Sequence, residues 1–357
     1  MKNILVLGAG GSPATNFVRS LREAPEKFNL IGTDCNKYYI QRAETDRKYL
    51  VPPSSDKNYF NILNDIIDEE NIDFVHIQND SEMPVISENR EKINAKCFLP
   101  SKETVRTCLN KFDSFKAWEK NGVPQPKTVF LNNQEDLRTA FFTLGKKIWI
   151  REISGAGGKG SLAVEDFDQA KYWISFNKGW GKFVAAEYLS PDTITWQSIW
   201  NNGKLIVAQT RKRLYWELGK VSPSGVSGAT GAATTTSSSV LDSIALDAIN
   251  AIDKKPNGIF SVDLTFNQNK VPIPTEINIG RFFTTHYFFT VAGLNMPYIY
   301  LKEAFGEDYI APHKKINPLI DDLMWIRGMD FEPILTSLNN TKLYEKEFET
   351  RNNKYKS

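Results

Sequence analysis

Three stretches of the chain put charged or small residues where chemistry could use them. The first is SVDLTFNQNKVPIPTEIN, residues 261–278, followed by IGR. Asp263 interrupts one apolar run, and Glu276 and Asn278 interrupt the next. Glu276 and Asn278 are two apart and therefore share one face of a strand. If the two runs pair around residues 267–270, Asp263 lies across the ladder from Glu276. Two carboxylates and an amide oxygen on one face need a counter-charge, and hard oxygen donors suit Mg²⁺ or Mn²⁺. Arg281 follows and could meet a phosphate or carboxylate bidentately. An ion-paired surface hairpin is the plainer reading, but it does not explain why acids break two otherwise apolar strands. The second stretch is IWIREISGAGGKGS, residues 148–161. Arg151 ends a strand, and Ser154, Gly155, Gly157, Gly158, Lys159 and Gly160 follow. A loop of this composition can offer N–H donors and one cation to phosphates, and a turn alone needs fewer glycines. The third is GAGGSP, residues 8–13, after a strand, with Asp34 ending the next strand. Free N–H groups at a helix start suit a phosphate. Pro13 stands where a dinucleotide fingerprint wants a third small residue, so a tight turn is favoured over nicotinamide binding.

These residues need elements to hold them. NILVLG, NLIGTD and IDFVHIQ read as buried strands. They alternate with helical spacing at Phe17, Val18 and Leu21 and at Ile62, Leu63, Ile66 and Ile67. That alternation predicts an open parallel α/β sheet over about the first hundred residues. Residues 101–122 read as one helix, capped by Ser101 and closed by Asn121-Gly122. VPQP (123–126) cannot continue a helix and marks a junction. Beyond it the pattern predicts strands at 128–131, 147–153 and 183–189. Hairpins are expected at 193–216, around Asn-Asn-Gly, and at 258–278. Residues 222–239 are small and polar and read either as a mobile surface loop or as a substrate loop. The last residues, NNTKLYEKEFETRNNKYKS, read as frayed or as a short solvated helix.

Composition narrows the class. The 357 residues imply more than one packed unit. Lys plus Arg number 44 against 42 Asp plus Glu, which argues against a dedicated nucleic-acid binder. Cys35, Cys97 and Cys108 form no paired motif and fit reduced thiols. His76, His286 and His313 lack zinc spacing. No segment resembles a signal peptide or a membrane span, so the expectation is a cytoplasmic protein with no membrane partner.

The order of these motifs resembles the ATP-grasp superfamily, closest to its carbamoyl-phosphate-synthetase-like carboxylate–amine ligases, over roughly residues 1–310. NKFDSFKAWEKNGVPQPKT resembles the family helix that starts at a phosphate-binding lysine, giving Lys111 that role. IREISGAGGKGS resembles the strand and loop over the triphosphate, with Arg151 where most members carry Lys. AAEYL resembles the hinge, with Glu187, Tyr188 and Leu189 around adenine. The family's ribose-binding Glu is replaced by Asp192 or Thr193. DLTF…TEINIGR resembles the metal hairpin, giving Asp263, Glu276 and Asn278 as ligands and Arg281 beside the phosphates, one residue later than usual.

The resemblance implies an N-terminal open parallel-sheet domain (1–108) and then a two-lobed α+β ATP-grasp fold. Its small lobe is 109–190, its large lobe 191–312, and 313–357 is an extension. It implies ATP, Mg²⁺, and a small carboxylate joined to an amine through an acyl phosphate. Lys111, Arg151 and Arg281 are the expected catalytic cations. Arg213 is a candidate for a substrate carboxylate or else a surface arginine of the RKR run. His286 is a candidate proton acceptor or else a packed histidine. The oligomeric state stays open, a homodimer among the options. Two competitors remain: an ATP-binding protein without turnover, and an NAD-dependent oxidoreductase built on the N-terminal sheet.

Overall fold

The structure is a computed structural model and describes residues 1–154, 158, 160–331, 334 and 336–355. Its first sheet is parallel, formed by β1 (Lys2–Leu7), β2 (Phe28–Asp34), β3 (Arg47–Leu50) and β4 (Phe74–Ile77) in the order β3-β2-β1-β4. Both faces are covered, as the continuous apolar strands require. Leu5 and Leu7 face the helix Tyr59–Glu69 through Ile62, Leu63 and Ile66. Ile4 and Val6 face Phe17, Val18 and Leu21 of the helix Ser12–Arg22.

The second sheet holds β5 (Thr128–Leu131), β6 (Ile148–Glu152), β7 (Leu162–Val164) and β8 (Phe183–Glu187), antiparallel in the order β5-β8-β6-β7. It has its own small core of Leu131, Leu137, Ile148, Ile150 and Phe183. The third sheet holds β9 (Thr193–Asn201), β10 (Lys204–Trp216), β11 (Thr230–Thr235), β12 (Gly258–Phe266), β13 (Pro272–Ile279) and β14 (Met324–Ile326). It is antiparallel in the order β13-β12-β9-β10-β11-β14.

Alternation along the third sheet decides where the site lies. Ile194, Trp196, Val262, Leu264, Ile277 and Ile279 point to one face, over Leu241, Ala245, Ala248 and Ile249 of the helix Ser239–Ile252. Their neighbours Thr195, Asp263, Glu276 and Asn278 must then take the other face. Towards its far end that second face is apolar too. There Ile199, Val207 and Ile259 pack on Phe282, Phe283, Phe289 and Met296. The polar end is left as a cleft wall.

Three sequence expectations change here, and one is met. Residues 101–122 are two helices, Lys102–Leu109 and Lys111–Lys120, broken at Asn110. Asn110 leaves the helical region and caps the second helix by accepting from the N–H groups of Phe112 and Asp113. The expected Ser101 cap is present, accepting from Thr104 N–H at 3.0 Å. A third of the supposed 222–239 loop is strand β11, where Ala233 and Thr235 are fully buried against β10. The C-terminal stretch is an ordered helix, Leu338–Asn353, docked on the first sheet. Arg351 donates to Glu69 at 2.6 Å and lies 5.0 Å over the Tyr49 ring. Phe348 packs on Ala9, Ile40, Ala43 and Leu50. Its weak amphipathicity hid this, because docking uses an arginine and scattered aromatics rather than an apolar stripe. Finally, the N-terminal glycine turn is filled. Gly10 N–H donates to Asp34 Oδ2 at 3.1 Å, and a Cβ on Gly10 would sit 2.1 Å from the Tyr39 carbonyl oxygen. Asp34 thus binds its own turn, which is closed by Gly11 N–H donating to the Gly8 carbonyl at 3.1 Å, the tight turn the sequence predicts.

Candidate active site

The hairpin β12–β13 sets Asp263 directly opposite Glu276, in the register the sequence predicts. The ladder then slips, so that Leu264 pairs with Pro274 and Thr275 is an extra residue. Pro274 lacks the N–H that would keep the ladder regular, and the resulting bulge re-aims Thr275. The Thr275 hydroxyl donates to the Asp263 carbonyl at 3.2 Å, and its own carbonyl accepts from Arg151 Nη2 at 2.6 Å. Through this bulge β6 of the second sheet is tied to the edge of the third.

Asp263 accepts from the Thr195 hydroxyl at 2.6 Å and from Asn278 Nδ2 at 3.0 Å. Asn278 is held in turn, its Oδ1 accepting from Arg281 Nη2 at 2.8 Å. Arg281 also pairs with Asp80, beyond β4 of the first sheet. The extra residue before Arg281 has a structural answer. Gly280 adopts φ +71°, and this left-handed turn brings Arg281 back over Asn278. A Cβ on Gly280 would also lie 2.6 Å from Met83 Cε.

Lys111 begins the helix capped by Asn110 and reaches Glu276 Oε2 at 3.2 Å. Its backbone N–H donates to the Ile153 carbonyl at 2.9 Å, which fixes it beside the end of β6. Burial presses the Glu276 carboxyl upward, but Lys111, Arg151 and Arg281 more than offset this and hold it below the usual carboxylate range. Burial raises Asp263, with Arg213 opposing. The two opposed carboxyls are thus shifted in opposite directions, Glu276 down by its cations and Asp263 up by burial. The donors suit a hard divalent cation: two opposed carboxylates plus an amide oxygen, with no sulfur or imidazole among them. Among the described residues no group of three or more His, Cys, Asp or Glu is placed to hold a metal, and the hairpin itself offers two carboxylates and one amide.

The remaining expected residues fall in three groups. Glu187 ends β8, and its Oε1 accepts from Lys127 N–H at 3.1 Å. The Tyr188 ring lies 4.3 Å from Lys147 Nζ, and Leu189 continues the crossing to β9. That crossing is pinned where Ser190 N–H donates to Phe266 O at 2.8 Å. Asp192 is paired with Lys212 at 3.2 Å. In the glycine loop, Ser154 is exposed and Gly158 and Gly160 have φ +71° and +73°. A Cβ on Gly158 would meet the Val226 carbonyl at 2.8 Å, so the loop touches the small-residue segment before β11. Gly155, Gly157 and Lys159 lie outside the described residues.

The two substrate candidates are engaged elsewhere. Arg213 donates to Thr230 Oγ1 at 2.9 Å and to Thr193 Oγ1, and stacks 3.5 Å over Trp216. His286 is 1% exposed among Phe282 and Phe283, with Nδ1 2.8 Å from the Phe283 carbonyl oxygen, and burial lowers it to about 4. Burial keeps the ring neutral, and its Nδ1 faces the Phe283 carbonyl rather than the Asp263–Glu276 pair. Sequence reasoning missed Thr195, Asp80 and Arg211. Each matters through a partner distant in sequence, Thr195 through Asp263, Asp80 through Arg281 and Arg211 through Phe283, and only tertiary packing supplies that.

Residues 4–98 match the family described as PylC-like, N-terminal domain. No curated protein matches the chain by sequence. Among solved structures, the chain is similar to N5-carboxyaminoimidazole synthetase from Staphylococcus aureus in complex with ADP. The identity is 14%, 87% of this chain and 79% of that one are covered, and the TM-score is 0.67. It is similar to the biotin carboxylase domain of Hydrogenobacter thermophilus 2-oxoglutarate carboxylase, solved with MgADP, ADP and bicarbonate. There the identity is 13%, coverage 90% and 73%, and TM-score 0.67. It is also similar to L-amino acid ligase from Bacillus licheniformis, at 13% identity, coverage of 85% and 74%, and TM-score 0.65. The chain has the ATP-grasp fold: a parallel N-terminal sheet followed by two antiparallel sheets, tied where Arg151 of β6 donates to the Thr275 carbonyl of β13. Among the described residues no helix is long and apolar enough to cross a membrane.

Proposed function

We propose that the chain is an ATP-dependent, ADP-producing carbon–nitrogen ligase that activates a small carboxylate as an acyl phosphate and passes it to an amine. The observation that carries this reading is the Asp263–Glu276 pair ringed by Lys111, Arg151 and Arg281. Such a ring suits a triphosphate and a divalent cation together. The solved relatives with ADP or MgADP support the nucleotide.

Asp263, Glu276 and the Asn278 oxygen would hold Mg²⁺. When bound, the ion neutralises phosphate charge and orients the γ-phosphoryl group. Lys111, Arg151 and Arg281 gather the remaining phosphate charge. A carboxylate oxygen attacks the γ-phosphorus and ADP leaves. The amine then attacks the acyl carbon, the C–O bond to phosphate breaks, and the departing phosphate or solvent takes the amine proton. Glu187, Tyr188 and Leu189 border adenine, Asp192 or Thr193 the ribose. Ser154 to Gly160, with Lys159, covers the phosphates and excludes water that would hydrolyse the acyl phosphate. We retain the division at 108/109, 190/191 and 312/313, and a cytoplasmic location.

The test is ADP release from ATP–Mg²⁺ against amino acids, small carboxylates and bicarbonate, each with and without an amine. Release that needs both an acid and an amine supports the ligase. ATP binding with no acid-dependent release reduces the chain to a nucleotide-binding protein.

A further inference from the structure

Across the third sheet one row of residues runs on the cleft face. Glu276 pairs with Asp263, Asp263 with Thr195, Thr195 with Arg211, and Arg211 with Thr235. Directly paired residues share a face, so all five side chains lie on one side of the sheet, with Glu276 and Asp263 half-buried and Thr195, Arg211 and Thr235 buried. Lys111 and Arg151 stand at the β13 end of the row. Arg211 stands two strands beyond Asp263 in the opposite direction, a backbone separation of about 10 Å by strand spacing.

Arg211 is 2% exposed. Among the described residues its buried Nε and Nη1 atoms have no hydrogen-bond partner. The charge has one organised contact, with the guanidinium carbon 4.5 Å over the Phe283 ring. The surroundings make this costly. Burial and the nearby Arg213 press against its charged form, with Asp263 partly opposing. Arg213 is satisfied by two threonine hydroxyls and Trp216. Arg327 is satisfied by Asp330. Of these three arginines, Arg211 is the one left with buried N–H groups that donate to nothing. A buried guanidinium with open donors is among the least favourable groups a fold can carry. Retaining one beside a catalytic cleft is the signature of a site whose missing partner is an anion.

We propose that Arg211, and not Arg213, anchors the small-molecule substrate through a carboxylate, with Phe283 fixing the plane of the guanidinium. This rests on the ligase reading above. The cations of the cleft then divide their roles. Lys111 and Arg151 at the β13 end serve the nucleotide, and Arg211 on β10 serves the acid. The Phe283 backbone N–H donates to Gln197 on β9 at 3.1 Å, which holds the aromatic platform to the sheet.

Two measurements on Arg211→Met and Arg211→Lys test this. The first needs no ligand. Removing an unpaired buried charge should leave the Tm of Arg211→Met equal to that of the unmodified chain or a few degrees higher. A fall of several degrees would make Arg211 a structural residue and overturn the assignment. The second is thermal shift with L-alanine, L-glutamate and succinate in the presence of MgADP. At least one should stabilise the unmodified chain, and Arg211→Met should lose that response while its shift with MgADP alone is kept. Arg211→Lys should keep part of the response to the acid. If none of the three acids stabilises the unmodified chain, or if Arg211→Met responds as fully, the assignment fails. If MgADP itself gives no shift, the ligase reading is what fails, and the ligand-free comparison still judges Arg211.

Discussion

The N-terminal glycine turn and the Asp263–Glu276 hairpin contain similar ingredients and put them to opposite uses. Each places two carboxylates near glycine-dependent backbone. At the turn, Asp34 accepts from Gly10 N–H and Asn36 N–H, and Glu82 accepts from the Tyr59 hydroxyl and from Asn79. Burial raises both, Glu82 to about 7. Among the described residues no cation is aligned to ionise Glu82, so it serves as a packed hydrogen-bonding group. At the hairpin, Glu276 is held ionised by Lys111, Arg151 and Arg281. Cations converging on Glu276 hold it ionised, whereas burial among neutral donors raises Glu82. A glycine-rich motif alone cannot distinguish the two.

The contrast is most exposed at Glu276. Glu276→Ala should reduce ADP release by roughly a thousandfold, the scale of removing a main electrostatic group. Its circular dichroism and Tm should change little. Turnover within about tenfold of the unmodified chain would return the hairpin to a mere ion-paired surface element. Next in size is Lys111→Met, expected to cost about a hundredfold in kcat/KM for ATP. It removes one of three cations, and an effect confined to the acid's KM would misplace Lys111.

The turn should respond in stability instead. Gly10→Ala forces a Cβ to 2.1 Å from the Tyr39 carbonyl oxygen. It should cost about 1–3 kcal/mol on denaturant unfolding. The affinity of the folded protein for MgADP should hold. A selective loss of nucleotide affinity would reopen the turn as a phosphate site. A second stability effect at the turn is in pH. Glu82 has an ordinary value of 4.5 and a folded value of about 7. The folded state therefore binds the extra proton between those values, and stability from Glu82 is lost as pH rises through that window. Relative to Glu82→Gln, the unmodified chain should gain about 1.4 kcal/mol per pH unit as pH falls from about 7 towards 4.5. A difference that is flat in pH would show the carboxyl not to be buried in this way.

Much of the molecule was legible in residue order because it rests on local rules. The alternation in SVDL and TEIN put Asp263, Glu276 and Asn278 on one face, and the turn between them fixed their register. Asn-Asn-Gly forced the β9–β10 hairpin, where Asn202 and Gly203 both take positive φ. Other features depend on partners far along the chain. The pairing of β10 with β9 and of β9 with β12 separates a committed Arg213 from an uncommitted Arg211, two residues apart in one basic run. The Tyr39 backbone, not any feature of GAGG, closes the N-terminal turn. Gly280 lets Arg281 reach both Asn278 and Asp80, a contact 201 residues distant in sequence. Spacing and propensity act over one strand or one helical turn, so residue order was enough to say which groups share a face. Which of those groups find a counter-charge depends on strand order and on packing across the cleft, and these bring together residues that no local rule connects.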